Sequence, residues 1–367
     1  MATQFLRNEV LPFATMLIVE TCEMSIVILG KAAMNAGLNS TVYVVYYNSL
    51  GTLLLLPYFV FYRRSRTHAL PISFSILHRC FILGLLGICL LQILAYIGIN
   101  YSSPTLAAGI GNLMPGFTFI LAVIFRMERL NLREITSQAK SLGTVVAITG
   151  AMVMTLYQGP TLFGSTDSES TQPNLESTQQ SLLSQNSNWV LGGSLITLTC
   201  LMSSGWNILQ TATLKEYPEQ PTVVFFFCCF GTIQCMIYSA IAERSVDDWL
   251  PLPSIAIIAI VFSAVCGTVF RTNVLTWCLD KKGPLYVAMF KPVGVIIAAI
   301  MEIMFLGASL HLGSVIGAII SSAGFYTVLW GQSKENATLK LDDNATLKLD
   351  DSECGAKSSS NRAPLLQ

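Results

Sequence analysis

Charged residues are scarce in this sequence. Asp, Glu, Lys and Arg make up 11% of the chain and hydrophobic residues 53%, whereas an average soluble domain carries about 25% charged residues. Histidine is rarer still, because the chain contains only His68, His78 and His311, which lie at the ends of apolar stretches. This composition excludes an ordinary soluble enzyme and predicts a chain that resides in a membrane.

The chain also lacks the motifs of enzyme and metal chemistry. No H-E-x-x-H, P-loop or G-x-S-x-G pattern is present, so metalloproteases, nucleotide-binding loops and serine hydrolases are excluded. The ten cysteines form no C-x-x-C pair and have no histidine at ligand spacing, and we expect them to pack helices. We therefore expect no catalytic residue, metal, cofactor or nucleic-acid partner, and an intramembrane enzyme would have no candidate groups.

Ten apolar stretches run through the chain, and each is long enough to cross a hydrocarbon core of about 30 Å. Nearly every Lys and Arg between them falls in alternate links, and the opposite links hold only Arg244. Because basic residues of short loops stay in the cytoplasm, we place both termini there. The predicted spans are residues 11–33, 41–62, 79–99, 104–125, 136–157, 189–211, 221–242, 254–278, 284–306 and 311–330.

The two halves of the chain carry an internal repeat. Identical residues recur at the same spacing when the segment that begins at Pro104 is laid over the one that begins at Pro284. A pair of glycines seven residues apart then follows in each half, Gly143 with Gly150 and Gly317 with Gly324. Five spans are an odd number, so the halves insert in opposite orientations, as in many transporters with a site near the middle of the membrane.

The predicted fold is therefore an all-α membrane protein of two inverted five-helix repeats. The first repeat occupies residues 1–157 and the second 189–332. Between them, residues 158–188 are rich in Ser, Thr and Gln and lack Lys and Arg, which predicts a mobile extracytoplasmic loop. Residues 333–367 are predicted to form a disordered cytoplasmic tail.

Several charged residues stand inside the apolar stretches. Glu20 and Glu23 lie near the middle of the first stretch, where an ionised group costs roughly 2.5–3.5 kcal/mol. Arg271, Lys291 and Glu302 lie at membrane depth in the eighth and ninth stretches. Two interpretations stay open, buried ion pairs that hold helices together and a polar route for a solute or proton. In both, we expect Glu20 or Glu23 opposite Lys291.

Prolines interrupt two of the stretches. Pro115 lies in the fourth and Pro292 in the ninth, and Asn112 and Lys291 stand shortly before them. Each proline removes one backbone donor, so we predict helix breaks beside a central site. The alternative is that these prolines only bend helices for packing.

Neutral polar and aromatic side chains complete the predicted site. Each alone is explained by helix packing, but together with the charges they form an apolar pocket with a few oriented polar groups. Opposite charges at the two ends of such a pocket fit a zwitterion. The predicted substrate-binding residues are Glu20, Gln92, Asn112, Trp206, Gln210 and Lys291, and the predicted proton-coupling or ion-pair residues are Glu20, Glu23, Arg271 and Glu302.

Short motifs recur in order along residues 10–335, among them Tyr101-Ser102-Ser103-Pro104-Thr105, Phe125-Arg126-Met127-Glu128, Met154-Thr155-Leu156-Tyr157, Tyr217-Pro218 and Lys291-Pro292. In these motifs the chain resembles the plant drug/metabolite transporters with EamA-type repeats, also called nodulin-21-like or Walls-Are-Thin-related proteins. It departs from their pattern at Ala308, where an acid is common, and at Glu302, where a small residue is usual.

The resemblance implies facilitated or proton-coupled movement of amino acids, and other members of the family move auxin or related metabolites. It also implies residence in the plasma membrane or the vacuolar membrane. The expected partners are a small organic substrate, the lipid bilayer and protons. A non-transporting membrane receptor or scaffold is the remaining alternative.

Overall fold

A computed structural model describes residues 10–66, 70–92, 94, 110–128, 133–157, 161–163, 178–242, 249, 254–306, 310–313 and 315–335. In these ranges the chain is almost entirely helical, which confirms the predicted all-α class. The helices are α1 (Leu11–Asn35), α2 (Ser40–Ser65), α3 (Phe74–Leu90), α4 (Met114–Ile124), α5 (Ile135–Leu156), α6 (Thr178–Glu216), α7 (Gln220–Ala242), α8 (Ser254–Lys282), α9 (Pro284–Leu306) and α10 (Val315–Glu335).

Five helices within these ranges, α1, α2, α7, α8 and α10, have the length and apolarity of a bilayer crossing. Helices α3 and α4 and the first part of α9 are apolar but shorter, and the predicted third and fourth spans extend into residues outside the described ranges. The protein is thus a multi-pass membrane protein, while the count of ten crossings and the side of the termini stay predictions.

Helices α8 and α9 are joined by a single residue. Gly283 has a φ of 85°, a conformation that favours glycine, and its N–H closes α8 on the carbonyl of Leu279 at 3.1 Å. Pro284 then begins α9, where its missing N–H has no helical partner to lose. The turn therefore couples the direction of α9 tightly to that of α8.

The third helix of each predicted half contains a π-helical segment, at Leu85–Leu90 in α3 and Ser263–Arg271 in α8. Such segments widen the backbone ladder and are frequent at functional sites. Nearby carbonyls find side-chain donors, since Trp206 Nε1 donates to the carbonyl of Leu83 at 3.1 Å. The segment in α8 ends at Arg271, one of the predicted site residues.

Corresponding helices of the two predicted halves make equivalent contacts with the opposite half. Helix α1 packs against α8 and α9, and its counterpart α6 packs against α3 and α4. Likewise α2 packs against α8, as α7 packs against α3. Contacts of α2 with α7, α4 with α9 and α5 with α10 join corresponding helices across the halves. A pseudo-two-fold axis in the membrane plane is expected to produce this pattern.

Helices α5 and α10 touch through their backbones at the predicted glycines. A Cβ at Gly324 would lie 2.3 Å from the backbone nitrogen of Ala147, and one at Gly143 would lie 2.8 Å from the carbonyl oxygen of Gly324. Small residues allow such close approach in lipid, where van der Waals packing drives helix association. The contact depends on the absence of side chains at these positions.

Ion pairs and a hydrogen bond to a carboxylate connect links that we predict to be cytoplasmic. Lys140, fully buried, donates to Glu128 at 2.6 Å and also to Glu335 at the end of α10. The buried carboxylate of Glu219 accepts from the backbone N–H of Leu70 at 2.8 Å. Burial alone would raise the pKa of Glu219, but the hydrogen bonds that it accepts lower it below its usual value, so the group is ionised.

The opposite helix ends also contact one another. Tyr46 Oη, near the start of α2, donates to the carbonyl of Trp249 at 3.0 Å. Strand β1 (Thr161–Phe163) pairs antiparallel with β2 (Leu310–His311). Trp249 and β1 belong to links that we predict to be extracytoplasmic, and Tyr46 and β2 lie at the extracytoplasmic ends of predicted spans, so each contact joins segments of the same predicted side.

Several boundaries differ from the sequence-based expectation. Helix α6 begins at Thr178, eleven residues before residue 189, and β1 also lies within the loop predicted at 158–188. Extending a helix is easier than starting one, so a polar stretch continues α6 although its composition predicted a loop. Helix α10 reaches Glu335, beyond the predicted end of the repeat, because Glu335 pairs with Lys140.

We expect Gly324→Ala to destabilise the protein by about 1–3 kcal/mol, because the added methyl group overlaps the α5 backbone. The midpoint of thermal unfolding in detergent measures this effect. Gly205→Ala in α6 is the matched control, since a Cβ there has no heavy atom within 4 Å and alanine favours the helix. Equal midpoints for the two variants would contradict the close contact of α5 and α10.

Candidate functional site

Four charged side chains from α1, α8 and α9 form one network, the charge cluster of Glu20, Glu23, Arg271 and Lys291. Lys291 Nζ lies 2.7 Å from Glu23 Oε2 and 3.3 Å from Glu20 Oε1. Arg271 Nε lies 3.2 Å from Glu23 Oε2. The structure thus places Lys291 opposite both acids, as the sequence predicted. Two acids and two bases balance, so the cluster carries no net charge.

The predicted spans place the charge cluster near the middle of the membrane. Glu20 is nine residues from the start of α1, about 14 Å along the axis, and Arg271 is eleven residues from the end of α8, about 16 Å. Lys291 is seven residues from the start of α9, about 10 Å. These three helix ends belong to the same predicted side, so the depths agree with a position close to half of a ~30 Å core.

Glu20 differs from the other three members in its burial. It is 0% exposed, whereas the side chains of Lys291, Glu23 and Arg271 are 21%, 25% and 34% exposed. Three members of the charge cluster are therefore partly accessible, and Glu20 is not. Glu20 packs against Gly294, where a Cβ would lie 2.6 Å from Glu20 Oε2, so a side chain at this position would displace the carboxylate.

One carboxylate oxygen of Glu20 is open to a further donor. Lys291 Nζ lies within ion-pair distance of Glu20 Oε1, but Oε1 receives no hydrogen bond from any residue that the structure describes. A buried oxygen of this kind is costly to leave without a donor. Glu20 Oε1 is therefore a candidate contact for a ligand ammonium group or a proton.

Gln92 joins the charge cluster indirectly. Its Nε2 donates to Tyr47 Oη at 2.8 Å, and Tyr47 lies in the neighbourhood of Arg271. Gln92 Oε1 has no hydrogen-bond partner in the described part of the chain. The amide thus lies one side chain away from the charges, with an acceptor still available.

Gln210 lies on the face of α6 that meets α8. Its Nε2 donates to Thr276 Oγ1 at 2.6 Å, five residues beyond Arg271 on α8. Gln210 Oε1 and the buried Nδ2 of Asn207 lack hydrogen-bond partners among the described residues. Gln210, Asn207 and Thr276 thus place polar groups between the charge cluster and the end of α8.

Trp206 and Asn112 make their contacts elsewhere. Trp206 donates to the carbonyl of Leu83 and packs edge-on against Phe227, with ring centroids 5.9 Å apart. Asn112 Nδ2 donates to the carbonyl of Ala151 at 3.2 Å, linking the residues before α4 to α5. Both side chains thus join helices in the structure, which matches the packing alternative for each residue taken alone.

The two predicted helix breaks have different outcomes. Pro115 lies in the first turn of α4, directly after a turn, so the chain does break there. Pro292 lies inside the continuous helix α9, and the prediction of a break is wrong at this position. Ala288, Met289 and Phe290, just before Lys291 and Pro292, are fully buried, and their packing maintains the helix despite one missing donor. Glu302 belongs to α9, but its side chain lies outside the described part of the structure.

Comparison with known proteins gives consistent results. The EamA-like transporter family matches residues 13–156 and 190–330. WAT1-related protein At3g28050 of Arabidopsis thaliana is 40% identical, over 100% of this chain and 98% of that protein. WAT1-related protein At5g40240 of the same plant is 43% identical, over 91% and 90%. One protein crystal structure aligns with a TM-score of 0.65 over 90% of this chain and 99% of its own, at 12% identity, which is a likeness of fold alone.

We expect Lys291→Met to destabilise the protein by about 3 kcal/mol, because it leaves two buried acids with one base. Adding Glu20→Gln to this variant should restore part of the loss, since one charge of each sign has then been removed. Thermal unfolding in detergent of the two single variants and the double variant measures the coupling.

Lys281→Met is the matched control for the charge cluster. Lys281 pairs with Asp280 at 3.4 Å and is 59% exposed, so its removal should cost less than about 1 kcal/mol. A double variant that is as unstable as the sum of its two single variants would contradict a direct interaction between Lys291 and Glu20.

Proposed function

We propose a substrate and a mechanism for this chain, which belongs to the EamA-like transporter family and is a membrane transporter of small solutes, not an enzyme. The proposed substrates are amino acids. The observation that carries this proposal is the neutral charge cluster at mid-depth, with two acids on one helix and two bases on two others. An amino acid at neutral pH has the same balance of charges.

A zwitterion can replace the ion pairs of the cluster without changing the net charge. Its ammonium group would donate to Glu20 Oε1, which receives no hydrogen bond from the described residues. Its carboxylate would take Lys291 Nζ, which the structure places 3.3 Å from Glu20. Each charge then keeps a partner, so the high cost of an unpaired buried charge is avoided. A lone organic anion such as auxin would satisfy the bases but leave an acid without compensation.

Each ion pair of the cluster joins the two proposed repeats. Glu20 and Glu23 belong to the repeat at 1–157, whereas Arg271 and Lys291 belong to the repeat at 189–332. A substrate that competes for these pairs therefore weakens bonds between the repeats at the moment when it binds. This links binding to the rocking of one repeat against the other, which is how alternating access works in inverted-repeat carriers.

The proposed architecture has ten crossings with both termini in the cytoplasm. The exchange of packing partners between α1–α5 and α6–α10 supports the two repeats. Contacts such as Lys140 with Glu335 and β1 with β2 support the sidedness, because they join links of one predicted side. Plasma membrane and vacuolar membrane remain the proposed locations, and a fluorescent fusion in plant cells distinguishes them.

Two further roles belong to this proposal. The alternative role proposed for Glu20 is that it carries a coupling proton instead of binding the ammonium group, since protonation would release Lys291 for the substrate carboxylate. Gln92 and Gln210 are the proposed polar contacts beside the charges, because each has an amide oxygen without a partner among the described residues. Glu302 is proposed to compensate for the acid that the family commonly carries at the position of Ala308. Trp206 and Asn112 are proposed to line the substrate site.

Glu20→Gln should reduce uptake of labelled neutral amino acids into proteoliposomes by about 10–100-fold. The reason is that the variant loses a charge-assisted hydrogen bond to the ammonium group, worth about 1.5–3 kcal/mol. Uptake is measured with and without a pH gradient, and indole acetate is tested in parallel.

Glu216→Gln is the control for this experiment, since Glu216 pairs with Arg79 at the surface with 48% of its side chain exposed. We expect it to transport as wild type. Unchanged amino-acid uptake by Glu20→Gln would remove Glu20 from the mechanism. Uptake of indole acetate alone by the wild type would replace the amino-acid proposal with auxin.

A further inference from the structure

Two cysteines lie at the contact of α1 with α8, beside the charge cluster. Cys22 and Cys266 are both free thiols and both partly exposed, and the Cys22 thiol donates a hydrogen bond to the sulfur of Cys266. Cys22 directly precedes Glu23 on α1, and Cys266 lies in the π-helical segment of α8 that ends at Arg271. We call these two cysteines the thiol pair.

Other contacts hold the two helices together at the level of the thiol pair. Glu23 Oε2 lies 3.2 Å from Arg271 Nε. A Cβ at Gly267, the residue after Cys266, would lie 3.1 Å from Cδ1 of Ile26, about one turn beyond the first cysteine. The two sulfurs are therefore neighbours because α1 packs against the π-helical segment here, and they stay neighbours as long as this packing persists.

A second pair of cysteines is accounted for by packing. Cys235 of α7 hydrogen-bonds with Cys89 of α3, and its thiol lies 3.8 Å from the carbonyl oxygen of Ile88, to which it donates. Cys89 and Cys235 are 6% and 5% exposed, so a reagent has little access to their sulfurs. Buried thiols of this kind fill space and are inert. The thiol pair differs because both of its members are partly exposed.

We propose that the thiol pair is a site of reversible oxidation, at which a peroxide joins Cys22 and Cys266 in a disulfide. One thiol loses its proton, and its sulfur attacks a peroxide oxygen and breaks the O–O bond, which gives a sulfenic acid and one water. The second sulfur attacks the sulfenic sulfur, forms the S–S bond and releases another water, which takes up the second thiol proton. The sulfurs are oxidised and the peroxide is reduced. Hydrogen peroxide is small and uncharged, so it reaches thiols that border water or lipid.

The disulfide would fasten the two proposed repeats to each other. Cys22 belongs to the repeat at 1–157 and Cys266 to the repeat at 189–332, and the bond spans the same helix contact as the ion pair of Glu23 with Arg271. Rocking of one repeat against the other moves α1 relative to α8, and a covalent bond between them opposes this motion. Oxidised protein should therefore stop transporting, and a thiol reductant should restore it. The block of transport rests on the proposed alternating access, whereas formation of the disulfide does not.

Peroxide treatment of the purified full-length protein in liposomes tests this proposal. After digestion without reductant, mass spectrometry should detect a cross-linked peptide that contains Cys22 and Cys266. Uptake of labelled amino acids should fall to a small part of its untreated value, and dithiothreitol should remove the cross-link and restore uptake. Cys22→Ser and Cys266→Ser should each lack the cross-link and keep their uptake after treatment, because serine forms no S–S bond.

Cys229→Ser is the matched control, because Cys229 of α7 is also a partly exposed free thiol on a membrane helix. It should form the cross-link and lose uptake as wild type does. Absence of the Cys22–Cys266 peptide from wild type, or oxidation of Cys89 with Cys235 in its place, would overturn the disulfide. A complete cross-link with unchanged uptake would overturn the block of transport.

The outcome for the disulfide is independent of the proposed substrate. The cross-linked peptide of wild type is detected without any transported solute and without any variant, so it tests the thiol pair even if a serine variant does not fold. If wild type transports indole acetate and no amino acid, the amino-acid proposal fails, and the effect of the disulfide is then measured on indole acetate.

Discussion

The ion pairs between α1 and the helices α8 and α9 are the interaction on which the architecture depends. Lipid offers no solvation for a charge, so Glu20 and Glu23 are compatible with α1 only when bases face them. Arg271 and Lys291 supply these bases at distances of 3.2 and 2.7 Å from Glu23. The positions of three helices are thereby specified by charge, whereas apolar contacts in a bilayer specify little because lipid tails are equally apolar.

Close backbone contact is the second constraint, and it acts where charges are absent. Gly324 touches the backbone of α5, and Gly294 leaves room for the carboxylate of Glu20. In each case the missing side chain is the feature that matters. Glycine at position 294 thus serves the charge cluster directly, since a side chain there would displace the carboxylate of Glu20.

The sequence predicted the parts of this structure that follow from local chemistry. Charge at membrane depth is costly for any fold, so the pairing of Glu20 or Glu23 with Lys291 was predictable without coordinates. Tyr47, Thr276 and Gly294 were not found, because their roles depend on which faces of distant helices meet. Pro292 was misjudged for the same reason, since buried packing of the residues just before it outweighs the loss of one hydrogen bond. The start of α6 at Thr178 was missed because composition does not reveal how far an existing helix propagates.

The one-residue turn at Gly283 has a mechanical consequence. Arg271 and Lys291 lie on two helices that only Gly283 connects, and Glu20 and Glu23 lie three residues apart on one helix. A local change in the backbone of α1, or of α8 and α9, therefore cannot break one ion pair while the others stay in place. We therefore expect the cations and the carboxylates to separate together in one step. No intermediate with only part of the ion pairs broken would then offer a path through which ions leak.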